Sequence, residues 1–148
     1  MKAVRSQRGN TIIEFVFSMG LLLAVSVGVF QFGYAFYVYN LLENAVRAGA
    51  RYASLRTYDS ATATPSDSYL AGVRNVVVYG DPAGGQRPVA PGLTPAAVAV
   101  SVRMQDGTPR EVRVAIDSYR LDAGVAAFTL KGKPYATFPY VGRFAPPT

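Results

Sequence analysis

Residues 15–39 form a run of 25 without a single Lys, Arg, Asp or Glu, and Gln31 is its only strongly polar side chain. The hydrocarbon core of a bilayer is about 30 Å thick, and about 20 helical residues cross it, so this run is long enough to span with some tilt. The alternative is a buried core helix, apolar on all sides. The roughly one hundred residues left over are too few to surround such a segment. The run is therefore read as a transmembrane helix, and the rest of the chain as what that helix carries.

Composition removes most enzyme chemistry. The chain has no His, no Cys and no Trp, which excludes Ser-His-Asp and Cys-His nucleophile arrangements and all His/Cys metal sites. No cofactor is expected. Of the net charge of +6, Lys2, Arg5 and Arg8 precede the apolar run and Glu14 lies at its edge. Three bases on one short flank place the N-terminus in the cytoplasm and residues after about Asn40 across the inner membrane, although Arg47, Arg51 and Arg56 on the other flank oppose that orientation. A secretory signal peptide also starts with bases and an apolar stretch, but its apolar region is only about 7–15 residues long.

The segment Arg8-Gly9-Asn10-Thr11-Ile12-Ile13-Glu14-Phe15 places a Gly after a charged leader and a lone carboxylate five residues later, immediately before the apolar run. An ionisable side chain costs about 2.5–3.5 kcal/mol at the centre of a membrane helix and less near its edge. Two readings account for Glu14. It is an interfacial carboxylate favoured by the helix dipole, or its partner is a new α-amino group. A cut between Gly9 and Asn10 would create that amine one helical turn before Glu14.

The Gly9 to Glu14-Phe15 spacing resembles the processing site of type IV prepilins, which a membrane prepilin peptidase cuts after the Gly. Farther on, Phe32-Gly33-Tyr34-Ala35-Phe36-Tyr37 and Asn40-Leu41-Leu42-Glu43-Asn44-Ala45-Val46-Arg47-Ala48-Gly49-Ala50-Arg51-Tyr52-Ala53 resemble the TadE family of minor pilins and pseudopilins of tight-adherence (Flp) pilus systems. The resemblance is close over about Arg8 to Ala53. Relatives commonly carry Pro where Gly20 stands and a small apolar residue where Asn10 stands. It implies a filament subunit in which Glu14 pairs with an N-terminal amine during docking. It also implies a minor subunit, since the major pilins are little more than the N-terminal helix. The implied partners are the peptidase, other pilin subunits, and an inner-membrane assembly platform driven by a cytoplasmic ATPase.

Within the run, Gly20, Ala24 and Gly28 repeat every four positions, a small-residue series that lets helices approach closely and forms a candidate packing face. Gly and Ala are also simply common in membrane helices. The helix is expected to continue from Asn10 to Arg56, because Leu41, Ala45, Ala48, Tyr52 and Leu55 keep helical spacing and Glu43 and Arg47 pair at i, i+4. The chain then divides into a basic leader (1–9), a membrane helix (10–39), its stalk (40–56), a polar linker (57–64) and an exported α+β domain (65–148).

In that domain Thr64 is expected to cap a helix over 65–77 that starts at Pro65, although Val76-Val77-Val78-Tyr79 also fits the start of a strand. Residues 80–92 are Gly- and Pro-rich and read as a loop. Alternation at Val98, Val100, Val102 and Met104, then Asp106-Gly107, then Val112, Val114 and Ile116 is the pattern of a hairpin. Further strands are expected at 125–131 and 135–140, giving an antiparallel sheet of three or four strands.

Arg103, Arg110, Arg113, Arg120, Lys131, Lys133 and Arg143 fall in this β region. A basic sheet face attracts nucleic acid or another anionic surface; the favoured reading is a solvated outer face. The functional alternatives are three. A pilin-like subunit would be processed after Gly9 and assembled through its helix. A permanently anchored single-pass protein would bind a ligand or surface through its exported domain. A membrane-anchored hydrolase is disfavoured by the missing His and the absence of an SxxK motif.

Overall fold

The structure, a computed structural model, describes residues 7–124 and 127–146. Lys2 and Arg5 of the expected leader, and Val125 at the expected start of a strand, lie outside the described residues. The architecture is α+β. A single helix, α1 (Gln7–Leu55), is followed by α2 (Asp67–Tyr79), a 3-10 turn (Pro95–Ala97) and five strands: β1 (Val98–Gln105), β2 (Thr108–Ile116), β3 (Tyr119–Asp122), β4 (Ala127–Leu130) and β5 (Tyr135–Pro139). The strands form two antiparallel sheets, one in the order β1-β2-β5 and one pairing β3 with β4.

The 49 residues of α1 extend on the order of 70 Å. Its upper half is the backbone of the domain, which buries Val38, Leu42, Ala45, Val46, Ala50 and Ala53 against α2, β2 and β5. This is not the expected stripe. Ala48 and Leu55 are exposed, and the buried face runs through 38, 42, 45–46, 49–50 and 53. Gly49 accounts for the offset. A Cβ there would collide with the Val77 side chain of α2, so a glycine at the crossing sets the contact face. Gly49→Ala should cost about 1–3 kcal/mol, because β-branched, fully buried Val77 has little room to retreat. Chemical denaturation of the detergent-solubilised chain checks this.

Helix α2 begins two residues later than the sequence suggested. Its N-cap is Ser66, whose Oγ accepts from the Tyr69 N–H at 3.1 Å, and Gly80 closes it in the left-handed region with its N–H on Val76 O. Asp59 explains the choice of cap. Its carboxylate accepts from the Ser66 hydroxyl at 2.6 Å and from the Ser68 hydroxyl at 3.2 Å, fastening the 57–64 segment to the start of α2. These hydrogen bonds, Ser66 first, hold the Asp59 carboxyl below its ordinary value. A depressed carboxyl contributes stability that is present above its unfolded value of about 3.9 and is lost as pH falls through the folded one. Asp59→Asn should therefore flatten the acid limb of the stability-pH curve below about pH 4, with the neutral limb as the control.

In the larger sheet, Asp106 and Gly107 both take positive φ (51° and 74°), the two-residue turn that matches the twist of a hairpin. Pairing runs from Val98↔Ile116 to Gln105↔Thr108 with a bulge beside Arg103 and Met104. Val98, Val102, Val112, Val114 and Ile116 turn inward as their alternation predicted. Residues 119–122 were not expected to form a strand. Tyr119 and Leu121 are buried, and β3 pairs with β4, so the expected strand over 125–131 belongs to a separate small hairpin.

Candidate functional site

The segment singled out by sequence lies on the first turns and the bare shaft of α1. Gly9 and Asn10 are the third and fourth residues of the helix, so the Gly9–Asn10 bond is in its first turn. Gly is among the poorest helix formers, so unwinding at this bond costs little. Glu14 is one turn on and exposed, as is Phe15. Because Cβ atoms tilt toward the helix N-terminus, the Glu14 carboxylate is carried back toward the level of Asn10. The geometry therefore allows it to reach an amine at Asn10, on its own helix or on a neighbour aligned with it.

From Thr11 to Tyr37 the shaft is clothed in large apolar side chains that the chain itself leaves uncovered, with Phe17 77 % and Phe30 80 % exposed. The helix is long and apolar enough to cross a membrane, and none of its most apolar window is buried within the fold. Gly20, Ala24 and Gly28 lie on this bare part, spread over about 12 Å of axis. A Cβ at Gly20, Gly28 or Gly33 would meet nothing within 4 Å. The glycines packed inside the domain behave differently. Cβ atoms at Gly49 and Gly72 would strike the Val77 and Arg56 side chains, and one at Gly142 would lie 2.6 Å from Arg56 O. Among the described residues, no contact requires the shaft positions Gly20, Gly28 and Gly33 to be glycine.

The basic residues of the β region do not make one uniform surface. Arg103 pairs with Glu111 at 3.5 Å, and Arg110 donates to the Gln105 side chain at 3.2 Å. The Arg113 guanidinium lies 4.0 Å over the Tyr135 ring, while Arg120 belongs to the smaller sheet. Of these arginines, Arg103 is paired with an acid, while Arg110 and Arg113 meet neutral partners. Among the described residues, no group of three or more Asp and Glu comes together in a way that would hold a metal.

Sequence reasoning did not find the aromatic clasp above the stalk. Tyr58 packs edge-on to Tyr69 (ring centroids 5.3 Å apart) and stacks with Phe144 at 6.3 Å. The Tyr69 hydroxyl donates to Ala53 O at 2.5 Å, and burial raises its pKa. Tyrosines in a polar stretch and a Gly-containing tail carry no periodic signal, so only their shared surroundings reveal them.

The family model for TadE-like proteins matches residues 9–51. The chain is TadE-like over its anchor helix. No curated protein and no solved structure matched the chain. The TadE-like match begins at Gly9 and ends inside α1, so it covers the first turns, the bare shaft and most of the stalk, and none of the domain beyond. The matched residues 9–51 are thus those of a TadE-like, pilin-like anchor helix, long and apolar enough to cross a membrane.

Proposed function

We propose that this TadE-like protein is a minor pilin or pseudopilin of a tight-adherence or related secretion system, cut between Gly9 and Asn10 by a prepilin peptidase and assembled through α1. The carrying observation is a long apolar shaft left bare by its own fold, entered by the Gly9 to Glu14 spacing. Such a surface cannot be drawn out of a bilayer into water. At about 25 cal/mol per Å² its exposure would cost on the order of tens of kcal/mol. It leaves lipid only for another apolar surface, and the shafts of sibling subunits provide one. Gly20, Ala24 and Gly28 would set the closeness of approach, and Glu14 would find its counter-charge in a freed Asn10 amine. The cytoplasmic side then holds the N-terminus, and the domain faces the periplasm until assembly carries it into an extracellular filament on an inner-membrane platform.

N-terminal sequencing of the protein from cells with and without a co-expressed prepilin peptidase tests the reading. The chain should start at Asn10 with the peptidase and at Met1 without it. Gly9→Val should abolish the cut and hold the subunit in the membrane fraction. A chain starting at Met1 in both strains, or normal surface display of the valine variant, would leave the protein a permanent single-pass anchor.

A further inference from the structure

The hairpin of β3 and β4 is rooted in the core through Tyr119 and Leu121 and borders the shaft of α1 at its other end. Ala123 and Phe128 border Gln31, Phe32 and Ala35 of α1, and a Cβ on Gly124 would lie 3.8 Å from the Gln31 amide nitrogen. Above this contact Leu121, Phe128 and Leu130 face Phe32, Ala35 and Phe36 across an open apolar groove of about 230 Å³. A smaller space of about 90 Å³ continues it beside Gln31. Phe128 stands between the two and is 53 % exposed although it is on the helix-facing side of the hairpin with Leu121.

The depth of this groove along α1 decides what fills it. If the hydrocarbon core begins just after Glu14, the roughly 20 residues that cross it end near Tyr34. Gln31 and Phe32 then lie inside the far boundary and Phe36 just outside, so the hairpin overlaps the lipid by about one helical turn. We propose that the β3–β4 hairpin is a second membrane contact, its groove around Phe128 filled by acyl chains of the leaflet on the domain side. This rests on the membrane reading of α1.

The polar groups around the groove agree with a shallow seat. Arg120 is exposed on β3 and Lys131 is exposed just beyond β4, both farther from the tip than Phe128 and placed to meet anionic headgroups. Asp122 follows Leu121 on β3 and lines a neighbouring space with Tyr34 and Val38 of α1, its carboxylate accepting from the Gly124 N–H at 2.9 Å. Its charge limits insertion to the boundary. Water is a poor occupant of a groove whose walls offer almost no polar partner. Acyl chains are continuous with those already around the shaft.

Because the chain contains no Trp, Phe128→Trp and Phe17→Trp each introduce a single reporter. The full chain would be reconstituted into phosphatidylethanolamine/phosphatidylglycerol vesicles whose lipids are brominated either near the headgroup or near the methyl end of the acyl chain. Phe128→Trp should lose roughly twofold in fluorescence with shallow bromines, keep that loss when diluted in lipid, and resist aqueous iodide. Phe17→Trp should be quenched by deep bromines. If Phe17→Trp is not quenched, the membrane reading itself fails. If Phe17→Trp is quenched while Phe128→Trp answers only to iodide, the hairpin contact is overturned. Protection of Phe128→Trp without bromine quenching, lost on dilution, would assign the groove to a second copy and also overturn it. Should Phe128→Trp misfold, Ala123→Cys in this cysteine-free chain serves instead. It should resist a membrane-impermeant maleimide in vesicles while exposed Ser101→Cys on β1 reacts, and equal labelling of the two would refute the proposal.

Discussion

Glu14→Leu should leave the protein in the membrane and remove it from the filament. The two halves of that result come from one carboxylate. For insertion Glu14 is a burden, since an ionisable group on a membrane helix costs up to about 3 kcal/mol and Leu contributes favourably, so the membrane-bound amount should hold or rise. In the proposed docking Glu14 would accept a charge-assisted bond from an Asn10 amine, and such bonds contribute about 1.5–3 kcal/mol, more where water is excluded. Its loss should lower incorporation on the order of ten- to a hundredfold. Immunoblots of sheared surface filaments, set against the membrane fraction of the same cells, read both quantities at once. Glu14→Gln is the sharper companion. It keeps the size and polarity of the side chain and removes the charge, so it should assemble poorly as well. Wild-type incorporation of Glu14→Leu would mean that docking uses no amine pair and that Glu14 is only an interfacial carboxylate.

What could be read in advance, and what could not, follows from where each signal resides. The shaft was legible because a run of 25 uncharged residues is local and leaves few folds open. The Asp106-Gly107 hairpin was legible for a similar reason, since turn chemistry and alternation on both sides of it agree. The contact face of the stalk was not. Leu41, Ala45, Ala48, Tyr52 and Leu55 have helical spacing, but in a stretch rich in Ala and Gly several faces share that spacing. The deciding contact is Gly49 against Val77 of α2, far along the chain. A glycine carries almost no hydropathy signal, so the residue that sets the crossing is the one periodicity cannot weigh.

The smaller hairpin was hidden for a related reason. A four-residue strand offers only Tyr119 and Leu121 as alternating apolar positions, and its partner was assigned instead to a single larger sheet. The candidate residues Gly9, Asn10, Glu14, Phe15, Gly20, Ala24 and Gly28 were visible as sequence features alone. Their proposed partners are a peptidase, lipid and other subunits, so folding this chain by itself brings none of those partners to them.

Gly142→Ala should unfold the domain far more readily than its single added methyl suggests. The last turn of α1 ends under the C-terminal tail, where its carbonyls have no helical donors left. The tail supplies them. The Val141 N–H donates to Ser54 O at 3.0 Å, and the Tyr140 hydroxyl, 2.8 Å from Arg56 O, also accepts from the Tyr58 N–H at 2.9 Å. The Tyr58 N–H reaches Arg143 O at 2.8 Å as well, and Ala145 N–H returns to Tyr58 O at 3.0 Å. Gly142 sits in the middle of this clasp. A Cβ there would lie 2.6 Å from Arg56 O, 2.8 Å from the Tyr140 hydroxyl and 2.9 Å from Leu55 O. Two of those three neighbours are backbone carbonyls that cannot rotate away, so the tail must lift and several bonds lengthen together. Overpacking of about 1–3 kcal/mol plus about 1 kcal/mol for each weakened hydrogen bond gives a loss on the order of 3 kcal/mol. For a domain of this size that lowers Tm by roughly 10–25 °C. Tyrosine circular dichroism of the detergent-solubilised chain follows the transition, with Gly28→Ala as control, because a methyl there meets nothing within 4 Å. Gly28→Ala should melt with wild type, and a Gly142→Ala variant melting within a few degrees of it would show that the tail is no clasp. Membrane insertion should be equal in both variants, because the shaft that inserts and the clasp that folds the domain occupy opposite ends of α1.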